Sequence, residues 1–189
     1  MRLETSRLII REFETSDWPA VHRYGSNIEI MKYVRYQANT EEDTKGFIQR
    51  VISCAAHIPR ISYEWAVTLR ETPETLIGGC GIKREHETHC EWPVGYCYHS
   101  EYWGRGYGTE VCRALIGYGF ADLGGHRIYA VCDVDNKASA RVLEKGGMRL
   151  EGCFREKKWG LGRWRDRFEY AILDHEGQAA FPEHPSETI

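Results

Sequence analysis

Between Ser62 and Tyr98 the chain carries three strand-like runs in succession, and between Val94 and Lys145 strand and helix patterns alternate. No other feature narrows the fold so far. Consecutive strands joined by polar turns pair antiparallel, whereas a strand–helix–strand crossover brings two strands together in parallel. A chain that contains both, sharing the run Val94–Tyr98, is expected to form one mixed α/β sheet, mostly antiparallel, with a central parallel pair.

The flanking elements fit that frame. Arg7-Leu8-Ile9-Ile10-Arg11-Glu12-Phe13 reads as a strand, and Ser16 as the cap of a helix beginning Asp17-Trp18-Pro19. Thr40-Glu41-Glu42-Asp43 resembles a capping box and starts a helix through Ile58, which Pro59 stops. Strands Ser62–Leu69 and Thr75–Ile82 flank the polar turn Glu71-Thr72-Pro73-Glu74. Tyr107–Leu123 places Val111, Leu115 and Tyr118 on one helical face and ends at Gly124-Gly125. Arg127–Cys132 reads as a strand and Lys137–Lys145 as a short helix. Two last strands, Met148–Trp159 and Arg163–Leu173, are joined by Gly160-Leu161-Gly162. The sheet should therefore have about seven strands in a single domain, residues 1–173. Residues 174–189 are polar, carry Pro182 and Pro185, and read as a loose tail.

Composition excludes several classes. With 42% hydrophobic and 28% charged residues the chain has an ordinary globular balance. No apolar run approaches the roughly 18–20 residues of a membrane helix, and Met1-Arg2-Leu3-Glu4-Thr5 opens no apolar signal core. Seven cysteines, none within six positions of another, suit neither a zinc knuckle nor a disulfide framework, so a reducing cytoplasm is expected. A net charge of −3 gives no general attraction to nucleic acid or anionic membrane.

The segment Trp103-Gly104-Arg105-Gly106-Tyr107-Gly108-Thr109-Glu110 follows a strand and opens a helix. A glycine-rich turn there exposes backbone N–H groups at the positive end of a helix dipole, which suits a phosphate or pyrophosphate. It is not a Walker loop, because Gly108 is followed by Thr109-Glu110 rather than Lys-Ser/Thr. It is not the dinucleotide fingerprint either, since position 109 is threonine and the loop lies past mid-chain.

Taken with Asn136-Lys137-Ala138-Ser139-Ala140-Arg141-Val142-Leu143-Glu144-Lys145-Gly146-Gly147-Met148, that loop resembles the GNAT acetyltransferases. Within them it is most similar to the RimJ/RimL branch, which acetylates ribosomal-protein N-termini. The likeness runs from Leu3-Glu4-Thr5-Ser6-Arg7-Leu8 to Leu173. It implies acetyl-CoA as co-substrate and no metal. It further implies that Cys97, Tyr98 and His99, at the end of the thioester-facing strand, contact the coenzyme. Trp103, Gly104, Arg105, Gly106, Tyr107, Gly108 and Thr109 would do so in the loop. Gly106 and Gly108 occupy the small positions of the family signature, and Trp103 stands where Gln or Arg is usual, so its side chain is expected to pack. Asn136 and Ser139 fall near the pantetheine arm and the thiol. Both are candidate catalytic residues, Ser139 as donor to the departing thiolate.

Two family positions differ. Leu143 stands where many members have an acidic tyrosine, and Pro93 where many have a basic glutamate. Glu91 shares the face of position 93 by alternation and is the carboxylate candidate, with Glu156 and Glu101 beside it; the base stays open among them. The resemblance implies direct acetyl transfer to a primary amine, with a protein or peptide N-terminal α-amine as acceptor. Alternatives are a small amine such as an antibiotic, polyamine or amino acid, or a non-catalytic CoA-binding module. A monomer or homodimer is expected.

Three other features have blander readings. A Cys97 nucleophile assisted by His99 lacks a committed activating partner. His86-Glu87-Thr88-His89-Cys90-Glu91 has metal-ligand residue types but reads as a hairpin loop. The basic and aromatic stretches Arg155–Trp159 and Arg163–Arg167 read as a solvated strand face with the aromatics toward the core, not as a nucleic-acid surface.

Overall fold

The computed structural model describes residues 2–34, 37–84 and 90–180. Eight strands form one sheet: β1 (Arg2–Glu4), β2 (Leu8–Glu12), β3 (Ser62–Leu69), β4 (Leu76–Lys83), β5 (Glu91–Tyr98), β6 (Arg127–Asp133), β7 (Arg149–Gly160) and β8 (Arg163–Leu173). Their order across the sheet is β1-β2-β3-β4-β5-β6-β8-β7. Every neighbouring pair is antiparallel except β5–β6, which is parallel. The mixed sheet with a central parallel pair is therefore present, one strand larger than expected because the three-residue β1 pairs with β2.

The helices are α1 (Trp18–Gly25), α2 (Ile28–Met31), α3 (Glu41–Ala55), α4 (Tyr107–Ala121), α5 (Lys137–Lys145) and α6 (Asp174–Ala180). They divide between the two faces by strand alternation. Val111, Cys112, Leu115 and Ile116 of α4 and Leu143 of α5 are buried on one face against Trp65, Ile82, Ile128 and Tyr170. Val21 and Tyr24 of α1 and Ile48 and Val51 of α3 are buried on the other, with Phe13 and Ala66. Each fully buried Leu, Ile or Val contributes about 1.5–3 kcal/mol relative to exposure, so both layers are held mainly by apolar burial.

Several boundaries differ from expectation for local reasons. Around α1 it is Glu14 and Asp17 that form a reciprocal capping box, not Ser16. Helix α3 stops at Ala55, short of Ile58 and Pro59, and is capped by Thr40 and Asp43 as its sequence indicates. Strand β5 begins at Glu91, three residues before Val94. The stretch from Asp174 opens with α6 rather than a loose tail; the backbone N–H of Leu173 donates to Glu176 across its first turn. Trp159 and Trp164 do not face the core. They are 57% and 54% exposed and pack edge to face on each other, because β7 is the sheet's outer strand and lies open along most of its length.

The β5–β6 ladder has only three residue pairs, Glu91↔Arg127, Trp92↔Ile128 and Pro93↔Tyr129. Pro93 has no N–H to carry the ladder on, and beyond it the two strands diverge. Strand β5 continues against β4 from Val94 to Tyr98, and β6 continues against β8 to Asp133.

Candidate active site

The divergence of β5 and β6 opens a cavity of about 180 Å³ in the middle of the sheet. Val94, Gly95 and Tyr96 form one wall, Ala130, Val131 and Cys132 the other, and Asn136, Ser139 and Leu143 of the α5 region close one side. Tyr33 and Val34, after α2, reach it from the opposite side.

Above the cavity, at the end of β5, the chain turns through Ser100–Tyr102 into the glycine loop. Gly104 and Gly106 have φ of +74° and +83°, a left-handed conformation that glycine adopts without strain. Gly106 is the N-cap of α4 and supplies no side-chain cap. The first intrahelical bond runs from the Glu110 N–H to the Gly106 carbonyl, 3.1 Å. The amides of Tyr107, Gly108 and Thr109 before it therefore have no intrahelical acceptor. Gly108 serves packing: a Cβ there would lie 3.2 Å from Val142 Cγ2 on α5.

The loop is fastened from a distance. Glu110 accepts from Thr5 Oγ1 at 2.6 Å, Ser6 Oγ at 3.0 Å, the Arg7 backbone N–H at 2.9 Å and Arg7 Nε at 2.7 Å. Burial alone would raise the Glu110 carboxyl, but these bonds hold it below its usual range. Arg7 also donates to the Arg105 carbonyl at 2.9 Å and lies over the Tyr107 ring. Trp103 donates its indole N–H to the Tyr98 carbonyl at 3.0 Å, tying the loop to β5. Its ring remains 51% exposed, so it is anchored by a hydrogen bond rather than by burial. His99 accepts from the Glu101 N–H at 3.3 Å, and the Arg105 guanidinium lies over Tyr102.

At the start of α5, Asn136 is the N-cap, and its side chain accepts the Ser139 N–H at 3.1 Å. This bond orients Ser139, whose hydroxyl lies 3.1 Å from the Tyr96 hydroxyl. Burial raises the Tyr96 phenol well above the usual tyrosine range, so at neutral pH it is a protonated donor. The turn that delivers Asn136 is locked from below: Arg165 is buried and donates to both oxygens of Asp133 and to Asp135. Burial works against the Asp133 carboxylate, yet the Arg165 bonds hold its pKa below the ordinary value.

The sequence-derived residues do not all meet here. Asn136 and Ser139 line the cavity; Glu91 does not. It sits at the opposite end of β5, 4.0 Å from Arg127 in a cluster that also holds Glu151 and Glu169. Glu101 is exposed beside Arg23, and Glu156 lies on the outer strand β7. Cys97 alternates away from Tyr96 and Tyr98 and packs against the α1/α3 layer. Burial pushes its thiol up to about 12, so neither geometry nor ionisation favours a nucleophile. Residues His86 to His89 of the metal-type segment lie outside the described residues, and among those described no cluster of ligands could hold a metal.

Two groups escaped the sequence reading. No phenol stands at position 143, but that of Tyr96 lies across the cavity, within 3.1 Å of the Ser139 hydroxyl. The Arg7–Glu110 fastening joins residues 103 apart in the chain and has no local signature.

A family model for the acetyltransferase (GNAT) domain matches residues 7–149. The chain belongs to the GNAT acetyltransferases. It is 36% identical over 176 residues to the uncharacterized N-acetyltransferase YnaD of Bacillus subtilis, covering 93% of this chain and 99% of that protein. Among solved structures the GNAT fold recurs in RimL, a ribosomal L7/L12 α-N-protein acetyltransferase in complex with coenzyme A. There the TM-score is 0.80 at 20% identity, covering 92% of this chain and 99% of that one. It recurs also in the spermidine N-acetyltransferase of Vibrio cholerae in complex with CoA and spermine, TM-score 0.78 at 21% identity, covering 92% and 99%. The protein is thus a GNAT N-acetyltransferase. No helix among its described residues is long and apolar enough to cross a membrane.

Proposed function

We propose that this enzyme transfers the acetyl group of acetyl-CoA directly to the α-amine of a protein or peptide N-terminus, in a reducing cytoplasm, and that residues 1–173 carry the catalytic domain. The observation that carries the reading is the pairing of an uncapped α4 N-terminus with the gap between β5 and β6. The amides after Gly106 suit the pyrophosphate of the coenzyme. The β5 edge beyond Pro93 is free of β6 and can take the pantetheine arm, which leads the thioester toward Ser139 and Tyr96. Their coupled hydroxyls are placed to protonate the departing thiolate. Holding donor and acceptor in one gap supplies much of the acceleration. The position of Cys97 on the α1/α3 face and its raised thiol support direct transfer.

The acceptor assignment rests on ionisation. An α-amine has a reference pKa of about 7.7–8.0 against about 10.4 for lysine. Roughly a tenth of it is neutral at pH 7, so modest base assistance suffices. A panel of short peptides with free or blocked N-termini, spermidine and aminoglycosides tests this by thiol release and mass spectrometry. Acetylation should follow the free N-terminus. Modification of spermidine, an aminoglycoside or a blocked lysine peptide with the free N-termini untouched would overturn it.

A further inference from the structure

Strand register places Glu64 of β3 opposite Gly81 of β4, and Gly81 opposite Gly95 of β5. All three positions share the sheet face that carries α1 and α3, the face opposite Tyr96 and α5. The Glu64 side chain leans over β4: a Cβ at Gly81 would stand 2.7 Å from its Oε2. The next position in the row, Gly95, is exposed, has nothing within 4 Å of a Cβ, and lines the central cavity. Adjacent strands are about 4.8 Å apart, so the carboxylate, which reaches over Gly81, stands roughly one strand from the cavity wall at Gly95. The Glu64 side chain makes no hydrogen bond or ion pair among the described residues.

We infer that Glu64 is the acceptor-side carboxylate of the reaction, receiving the proton of the attacking amine directly or through one water held over Gly81 and Gly95. The amine nitrogen attacks the thioester carbonyl carbon, the C–N bond forms and the nitrogen's proton passes to Glu64. The C–S bond then breaks, the thiolate is protonated from the Tyr96–Ser139 side, which regains a proton from solvent, and Glu64 releases its proton to solvent. Donor and acceptor chemistry thus lie on opposite faces of one sheet and meet where β5 and β6 part.

The surroundings suit that role. Burial raises the Glu64 carboxyl above its ordinary value, opposed by Arg50 of α3 and Lys83 of β4. The other ionisable groups nearby, Tyr24 of α1, Cys80 of β4 and Cys97 of β5, are all pushed upward by burial and stay neutral. Glu64 is thus a carboxyl, raised by burial, standing among a phenol and thiols that stay neutral.

The inference depends on acetyl transfer to an amine but not on which amine is accepted, so it is tested with whichever member of the acceptor panel is modified. Glu64→Gln should lower kcat/KM about 100-fold or more, as removal of a general base does. It should leave the stabilisation by CoA intact. In the wild type the rate should rise with pH through two ionisations, that of Glu64 and that of the acceptor; in the variant only the acceptor's remains. Glu64→Asp should recover part of the rate. A raised folded-state pKa means that stability is lost as pH rises through it, so Glu64→Gln should not lower Tm near neutrality, whereas loss of a structural contact would. A Glu64→Gln enzyme within about threefold of wild type, with the same acid limb, would overturn the role and leave the acetyltransferase reading standing. A shift of acceptor class in the panel would overturn the α-amine assignment and leave the Glu64 result readable.

Discussion

Helices α3 and α4 are each fifteen residues long, and they begin in opposite ways. At α3 the Thr40 hydroxyl accepts from the Asp43 N–H at 3.1 Å and Asp43 returns the bond to Thr40 at 2.9 Å, so the end is chemically closed. At α4 the cap is a left-handed glycine with no side chain, and the one acidic residue of the first turn, Glu110, is drawn away to Thr5, Ser6 and Arg7. The first arrangement is what stability alone selects, since a side-chain cap contributes about 1 kcal/mol. The second forgoes that contribution and keeps a row of donors and a positive dipole end free for an anion. Helix α5 stands between them: Asn136 caps it, and the same bond orients Ser139.

This contrast can be broken at each helix. The largest effect is expected at α5. If both hydroxyls serve the departing thiolate as proposed, Ser139→Ala combined with Tyr96→Phe should reduce kcat by about one to two decades with CoA affinity unchanged. Turnover at wild-type rate in the double variant would remove the pair from the mechanism. A smaller effect is expected at α3. Thr40→Ala should cost about 1 kcal/mol, lowering Tm by roughly 2–4 °C, and leave CoA affinity and turnover untouched. A change in CoA affinity there would mean that the two helix ends are not functionally separate.

How much of this was legible beforehand follows from how local each signal is. The Thr40 box, the glycine loop and Asn136-x-x-Ser139 are contiguous motifs, and the structure forms α5 with the limits its sequence indicates. The missed elements are too short for periodicity to register, as with the three residues of β1 and the four of α2. The aromatic residues of β7–β8 misled because alternation says which residues share a face, not whether anything covers it. Glu91 misled in a related way: it lies on the right strand, but the gap opens beyond Pro93 and Glu91 lies before it. Glu64, Gly81 and Gly95 form a row only through the register of three strands, and no local pattern in the sequence marks them.

The coenzyme is proposed to bind at the open end of α4, and Gly106→Asp tests this by making that end resemble a closed one. Aspartate tolerates left-handed backbone better than most residues, and a Cβ at position 106 meets only Arg7 Nη2, at 3.4 Å. The fold should therefore persist, with a negative charge where the pyrophosphate's would lie. Calorimetric titration with CoA, alongside thermal unfolding of both proteins, gives the answer. The wild type should bind CoA and gain stability from it, while Gly106→Asp stays folded, loses about 1–2 kcal/mol of unliganded stability to its left-handed backbone, and binds at least about tenfold more weakly, ~1.4 kcal/mol. Equal CoA affinity in the two proteins would contradict the account.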